Sequence, residues 1–233
     1  ILACPGQPTK EERRNHNCTQ IPYRAWCDHC VRGRGRNRAA RNLCGSYNSA
    51  KGFVPRVHAD YAFFSVNASG DECDDDDPGG RVVLKILVTK GTMCGSVWAY
   101  VVQHKGHTME PWIRDQLIND FNTVGLANER ISIKSDQEPA LLDLVKEIAR
   151  VRPGVGTALD ESRVGDSNSN ARAEKAVMEI KGMVRTLRSA LEHNINSKNP
   201  IEHPIIPWLV RHAGLNITRY QIRDDGLTAL HKM

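Results

Sequence analysis

The chain has 233 residues, of which 40% are hydrophobic and 25% are charged, and its formal net charge is +5. These values are close to the averages of globular proteins, so the composition excludes a wholly disordered chain. No run approaches the roughly 18 apolar residues of a membrane span, and the start lacks the charged and apolar segments of a secretory signal.

Charge is distributed unevenly along the chain. Residues 1–56 contain eleven Lys or Arg against three acids, a net charge of +8, whereas residues 71–77 contain six acids in seven positions. A basic arm beside a more neutral body is typical of a polyanion binder, although a disordered basic leader has the same composition.

Five of the seven cysteines fall within the first 44 residues. This clustering favours a local metal site in a reducing compartment, nuclear or cytoplasmic, over the disulfide framework of a secreted protein. The absence of an initiator Met indicates a fragment of a longer polypeptide.

The predicted elements begin after a flexible basic linker at residues 32–51. Residues 57–66, 81–89 and 95–102 are rich in strand-forming residues and predict an antiparallel meander, with a loop at 67–80. Helical spacing follows over 108–122, a short strand over 130–134, and a helix from Pro139. A strand near 156–160, a polar loop over 161–171, and helices over 172–193 and 205–217 complete the chain. This order predicts an α/β fold with a mixed five-stranded sheet flanked by helices. Trp98 and Trp208 are expected in the core.

Three carboxylates occupy positions where a solvated surface acid is not expected. Asp60 lies among apolar and aromatic residues of the first strand, where an unpaired carboxylate is costly to bury unless a cation is bound. Asp136 directly follows the fourth strand, at the carboxyl end where α/β sheets bind ligands. Glu174 lies in the first turn of the long helix, after the polar loop.

These residues resemble the integrase catalytic core of retroviruses and copia-like retrotransposons. The similar motifs are Asp60-Tyr61 in a strand, Ser135-Asp136 before a helix that starts with proline, and the run SNARAE at 169–174 that opens a helix. Thirty-seven residues separate Asp136 from Glu174, close to the spacing of the family's Asp-Asp-Glu signature. The resemblance covers roughly residues 10–233.

The resemblance implies a ribonuclease-H-like fold and the activity of a retrotransposon integrase, which trims the 3′ ends of DNA and joins them to a target. Asp60, Asp136 and Glu174 would be catalytic and would hold two Mg²⁺ or Mn²⁺ ions, with Asp60 bridging both. The partners would be double-stranded DNA, from the element ends and the target, and further copies of the same chain, with no membrane involved.

The long helix offers a candidate DNA-binding face beside its core stripe. Lys181, Arg185 and Arg188 lie on the same side as Glu174, about 100° from the apolar stripe. An ordinary solvated face is the alternative. The candidate DNA contacts are Asn170, Arg172, Lys175, Lys181, Arg185 and Arg188.

The spacing Cys27-x-x-Cys30 lets two thiolates meet one tetrahedral ion. With His16 upstream, it resembles the His-His-Cys-Cys zinc finger that precedes the core in these integrases, but Gln20 stands where the family has its second His. The candidate zinc ligands are therefore His16, Cys27 and Cys30, with Cys18 or His29 as substitutes for the fourth. A decayed finger is the alternative. Residues 1–46 are expected to form this segment and its linker, and residues 47–233 the core.

Two other functions fit the same residues. One is a catalytically inactive, domesticated or decayed nucleic-acid-binding protein of the same fold, which the replacement at Gln20 favours. The other is a nuclease of this fold without joining activity. The intact set of three acids favours the integrase.

Overall fold

A computed structural model describes residues 7–35, 54–73, 79–106, 111–152, 156–161 and 171–233 of the protein. The predicted polar loop before the long helix and the predicted boundary between the two segments near residue 46 lie outside these residues. Within them, no helix is both long enough and apolar enough to cross a membrane.

Six strands form one sheet, and the three strands predicted as a meander are present. The strands are β1 Arg56–Val66, β2 Glu72–Cys73, β3 Arg81–Gly91, β4 Val97–Val102, β5 Ile131–Ser135 and β6 Thr157–Glu161. The two-residue strand β2 lies in the segment predicted as a loop, because Glu72 and Cys73 pair with the end of β1.

Six α-helices surround or precede the sheet. They are α1 Lys10–Thr19, α2 Asp28–Arg34, α3 Pro111–Thr123, α4 Pro139–Val151, α5 Ala171–Ile195 and α6 Ile205–Tyr220, followed by a short 3₁₀ turn at Leu230–Lys232. Helix α4 begins with Pro139, which has no backbone N–H. Proline is tolerated in the first turn because the N–H groups there have no partner within the helix.

The main sheet has the strand order β4-β3-β1-β5-β6. β1, β3 and β4 are antiparallel neighbours, whereas β5 pairs in parallel with both β1 and β6. The predicted mixed five-stranded sheet flanked by helices is therefore confirmed, with β2 as a short addition.

Two apolar clusters lie on opposite faces of the sheet. Ala62 and Phe64 of β1 pack with residues of α5 and α6. Val57, Ala59 and Tyr61 of the same strand pack instead with residues of α3 and α4. Successive strand side chains point to opposite faces, so the position of a residue along β1 decides which helices it meets.

Trp98 is buried in the core as predicted, but the prediction for Trp208 is wrong. The Trp208 side chain is 61% exposed and stacks on the His212 ring of the next turn of α6. The apolar face of α6 that contacts the sheet is formed by other residues, among them Leu209, Val210 and Ala213.

Helix α2 of the amino-terminal segment packs against the long helix α5. A Cβ atom added at Gly33 of α2 would lie 2.1 Å from the Thr186 Oγ1 of α5, and one added at Gly182 would lie 3.2 Å from the Gly33 carbonyl oxygen. The two helices can approach this closely because neither glycine has a side chain. This contact joins the amino-terminal segment to the helix that carries Glu174.

Candidate active site and amino-terminal metal cluster

The strand register brings Asp60 and Asp136 side by side. The parallel pairing of β1 with β5 sets Arg56 opposite Ser132 and His58 opposite Lys134. Continuing that register by two residues puts Asp136, which directly follows β5, next to Asp60. Adjacent strands are about 4.8 Å apart, so Asp60 and Asp136 are neighbours at the carboxyl end of β5.

Asp60 points to the face of the sheet that α5 covers. It lies two residues before Ala62 and four before Phe64, both of which pack in the cluster with α5 and α6. Glu174 is in the first turn of α5. The chain fold therefore brings together acids from a strand, from a strand end and from a helix start.

Electrostatics links Asp60 to the other two acids. Burial raises the pKa of Asp60 to about 7, with further contributions from the negative charges of Asp136 and Glu174. A carboxylate surrounded by like charge and by apolar residues is stabilised when a cation is bound. The site therefore has the donor chemistry of a hard divalent ion, which prefers oxygen ligands.

The three acids do not form a closed cage within the described chain. Among those residues, the group whose ligand atoms all lie within 4.8 Å of one another is His16, Cys27 and Cys30. A site for two ions about 4 Å apart spans a greater distance than a site for one, and Glu174 is exposed at one side of it. The acid site is thus open.

The start of α4 positions Asp136. Its Oδ1 accepts a hydrogen bond from the Glu138 backbone N–H at 3.3 Å, which fixes the carboxylate at the end of the strand. Glu138 adds a further negative charge near Asp60 and forms a 2.5 Å ion pair with Lys105. Sequence analysis did not single out Glu138, although its place two residues after Asp136 was a usable signal.

His58 is a second residue that sequence analysis missed. It is buried two residues before Asp60 on the same face of β1, and neither ring nitrogen has a hydrogen-bond partner among the described residues. Burial, followed by the positive charge of the nearby Arg172, lowers the pKa of His58 to about 4. The signal was its spacing from Asp60, which puts both side chains on one face of the strand.

The cations predicted to contact DNA differ in their surroundings. Arg172 and Lys175 are exposed beside Glu174, whereas the Lys181 ammonium lies 5.6 Å from the centroid of the Phe64 ring. Arg185 forms a 2.8 Å ion pair with Glu72, and Arg188 a 3.1 Å ion pair with Glu192. Asn170 lies outside the described residues. The exposed cations are therefore those nearest the acid site.

The amino-terminal cluster is buried, whereas the acid site is open. His16, Cys27 and Cys30 are all buried, and the His16 Nε2 lies 3.3 Å from the Cys30 Sγ. Burial lowers the pKa of His16, so its ring is neutral, as a metal ligand must be. The His16 ring also makes an edge contact with Trp26. These three residues have the donor types and the proximity of a zinc site.

Solved structures of retroviral integrases are similar to this chain. The simian T-cell lymphotropic virus intasome, in complex with PP2A regulatory subunit B56 gamma, matches with a TM-score of 0.53 and 14% identity, covering 88% of this chain and 62% of that chain. The catalytic core domain of BIV integrase matches with a TM-score of 0.46 and 14% identity over 76% of this chain and 91% of that one. The HTLV-2 integrase catalytic core domain, in complex with magnesium, matches with a TM-score of 0.47 and 10% identity over 76% and 93%.

No protein-family model matches the sequence, and no curated protein sequence matches it. The likeness to the intasome protein shows that the fold is that of a retroviral integrase, with a ribonuclease-H-like catalytic core, which confirms the predicted fold class. The chain spans less than two thirds of that protein's length.

Proposed function

We propose that this chain is a retrotransposon integrase, a polynucleotidyl transferase that processes the 3′ ends of DNA and joins them to a target. The observation that carries this proposal is the register of β1 with β5, which leads from Asp60 to Asp136, together with the position of Glu174 in the first turn of α5 on the same side of the sheet. Burial, with the charges of Asp136 and Glu174, raises the pKa of Asp60 to about 7, and a carboxyl group perturbed in this way is typical of a functional site.

The three carboxylates would hold two Mg²⁺ or Mn²⁺ ions. When bound, such ions supply activation of the attacking water or hydroxyl and neutralisation of the leaving oxygen in an in-line displacement. Asp60 is the central acid, since the charges of the other two both act on it. The Glu138 backbone N–H orients Asp136, and Glu174 would add the third carboxylate from the exposed start of α5.

Duplex DNA would approach along the exposed start of α5. Arg172 and Lys175 are exposed beside Glu174, where cations would contact the phosphates on either side of the reacting one and position the duplex. Arg185 and Arg188 already pair with acids, so their contribution to DNA binding is smaller. The intasome likeness supports an oligomer assembled on DNA, with element ends and target as the two substrates.

The amino-terminal segment would bind zinc through His16, Cys27 and Cys30, whose ligand atoms lie within 4.8 Å of one another. We assign this segment to residues 1–46 and the catalytic core to residues 47–233. Structural zinc sites have four protein ligands, so these three side chains supply all but one of the donors that such a site requires.

A test compares the wild-type protein with Asp136→Asn on duplex DNA carrying the element's own ends. We expect Mg²⁺- or Mn²⁺-dependent nicking and joining that the substitution abolishes, because it removes one charged ligand while keeping the shape of the side chain. Glu129→Gln is a matched control, since Glu129 is an exposed acid just before the opposite end of β5. If wild type and Asp136→Asn give equal product, the enzyme proposal is wrong.

A non-catalytic nucleic-acid-binding protein is the second candidate. The observation that favours it is Gln20, which replaces a zinc-binding histidine of the family pattern. In that case, the wild-type protein would bind DNA but give no metal-dependent product. Cleaved DNA without joined DNA would indicate a nuclease instead.

A further inference from the structure

The side chain of Gln20 points into the amino-terminal metal cluster. It is 1% exposed. Its Oε1 accepts a hydrogen bond from the Cys27 thiol at 3.3 Å and lies 3.8 Å from the Cys30 Sγ. Together with the 3.3 Å separation of the His16 Nε2 and the Cys30 Sγ, these distances describe a compact group of four donor atoms.

The distances between these donor atoms agree with the ligand-to-ligand distances (the edges) of a tetrahedral zinc site. Zinc bonds of ~2.3 Å to sulfur and ~2.0 Å to nitrogen or oxygen give edges of ~3.5 Å between ligand atoms. The three measured edges, 3.3, 3.3 and 3.8 Å, lie on both sides of that value. A zinc ion bound there would have four donor atoms within reach, the His16 Nε2, the Gln20 Oε1 and the Sγ atoms of Cys27 and Cys30.

The end of α1 explains why Gln20 points inward. Gln20 is the residue that caps α1, in the left-handed conformation with φ 59° and ψ 21°. It lies four residues after His16, so both side chains are on one face of the helix end. The Arg34 guanidinium donates hydrogen bonds to the Gln20 backbone carbonyl and, at 3.0 Å, to the Cys30 Sγ. Arg34 therefore contacts both the turn at Gln20 and the sulfur of Cys30.

The other two residues considered for the fourth position face elsewhere. Cys18 is exposed, and its thiol donates to the Arg14 carbonyl at 3.4 Å. The His29 Nδ1 lies 3.0 Å from the Ser189 Oγ, and the His29 ring packs against His193 of α5. Within the described residues, neither side chain hydrogen-bonds to the Cys27 or Cys30 thiol.

We propose that the cluster binds one Zn²⁺ through His16, Cys27, Cys30 and the side-chain carbonyl oxygen of Gln20. Binding would release the two thiol protons to solvent, and the two thiolates would balance the charge of the ion. Gln20 is a neutral oxygen ligand, weaker than the imidazole it replaces. The site is then a complete but labile version of a four-ligand zinc finger. This inference deepens the zinc binding proposed above and is independent of catalysis at the acid site.

The test uses the full chain and two readouts, zinc affinity by competition with a chromophoric chelator and the visible spectrum of the Co²⁺-substituted protein. For Gln20→His we expect zinc to bind about tenfold tighter or more, and for Gln20→Ala about tenfold weaker. The Co²⁺ ligand-field bands should change in both variants, because the fourth ligand differs. Cys18→Ser and His29→Ala are matched controls and should leave affinity and spectrum unchanged.

Gln20→Glu keeps the shape of the side chain and should fold if Gln20→Ala does not; its carboxylate should shift the Co²⁺ bands and tighten zinc binding. An unchanged spectrum and affinity in all three Gln20 variants would overturn the role of Gln20, as would a loss of binding in Cys18→Ser or His29→Ala. A wild-type chain that binds no zinc would overturn the whole cluster. DNA cleavage by the acid site would be unaffected by either result.

Discussion

The two candidate metal sites of this protein are built in opposite ways. The acid site gathers like charges at an open edge of the sheet, with Glu174 exposed, whereas the amino-terminal cluster buries His16, Gln20, Cys27 and Cys30 almost completely. Structural zinc sites are closed and catalytic sites keep open positions for substrate. Under the proposed function, the buried site would serve to fold a segment and the open site would exchange substrates.

The largest effect is expected from breaking the buried cluster. Cys30→Ser removes a fully buried thiolate, so zinc should be lost together with much of its binding free energy, which is on the order of 10 kcal/mol in small zinc-dependent folds. Limited proteolysis should then cleave the region of α1 and α2 rapidly. Mn²⁺ binding at the acid site should persist. Loss of both metals together would contradict the separation of the two sites.

The next expected effect is a gain in the free energy of unfolding instead of a loss. Because the folded pKa of Asp60 is near 7, above its ordinary value, ionising this acid opposes folding: the penalty is absent below the unfolded pKa near 4 and complete above pH 7. Without added divalent ions, Asp60→Asn should therefore stabilise the protein at pH 8 by on the order of 2 to 4 kcal/mol.

Thermal unfolding at pH 8 and pH 4 measures this difference. The melting temperature of Asp60→Asn should exceed that of wild type at pH 8, and the gain should vanish at pH 4. Mg²⁺ should raise the melting temperature of wild type more than that of the variant, since a ligand stabilises only the fold that binds it. A variant less stable than wild type at pH 8 would show that Asp60 is not under electrostatic strain.

A smaller loss of stability is expected at the contact between α2 and α5. Gly33→Val would place a side chain within 2.1 Å of the Thr186 Oγ1 and should cost about 1 to 3 kcal/mol by overpacking. Val31→Ala is the control, because Val31 is an exposed residue of the same helix. Hydrogen exchange should show faster opening of α2 in Gly33→Val only. Equal exchange in both variants would mean that α2 does not pack on α5.

The smallest effect concerns DNA. Lys175→Ala should reduce the slope of log affinity against log salt concentration by about one, because one phosphate contact is lost. Arg188→Ala, which removes a cation already paired with Glu192 at 3.1 Å, should change the slope less. Fluorescence anisotropy with a labelled duplex measures both slopes. A larger change for Arg188→Ala than for Lys175→Ala would contradict the prediction that Lys175 is the stronger DNA contact.

Much of the core could be predicted from the sequence. Strand composition identified β1, β3 and β4, and the periodicity of apolar residues identified α5, since both signals depend on neighbouring residues alone. The acids at Asp60, Asp136 and Glu174 were selected by their local positions. The burial of Asp60 and its proximity to the charges of Asp136 and Glu174, which together raise its pKa, became visible only once the strand register and the sheet face of α5 were known.

Other features depend on contacts between distant residues. A large apolar side chain such as that of Trp208 is expected in the core, yet the orientation of α6 leaves it exposed. Arg185 pairs with Glu72 because β2 adds to the end of β1, and no periodicity predicts that contact. The inward side chain of Gln20 follows from the left-handed end of α1, so the sequence indicated a missing histidine but not an oxygen donor in its place.

Mn²⁺ binding tests most directly whether Asp60, Asp136 and Glu174 share divalent ions. Electron paramagnetic resonance titrations would compare wild type with Asp60→Asn, Asp136→Asn and Glu174→Gln, all zinc-loaded, with Glu129→Gln as the control. Each of the three variants should bind Mn²⁺ more weakly than wild type, and the control should not. Wild-type affinity in all three variants would show that the acids do not form one metal site.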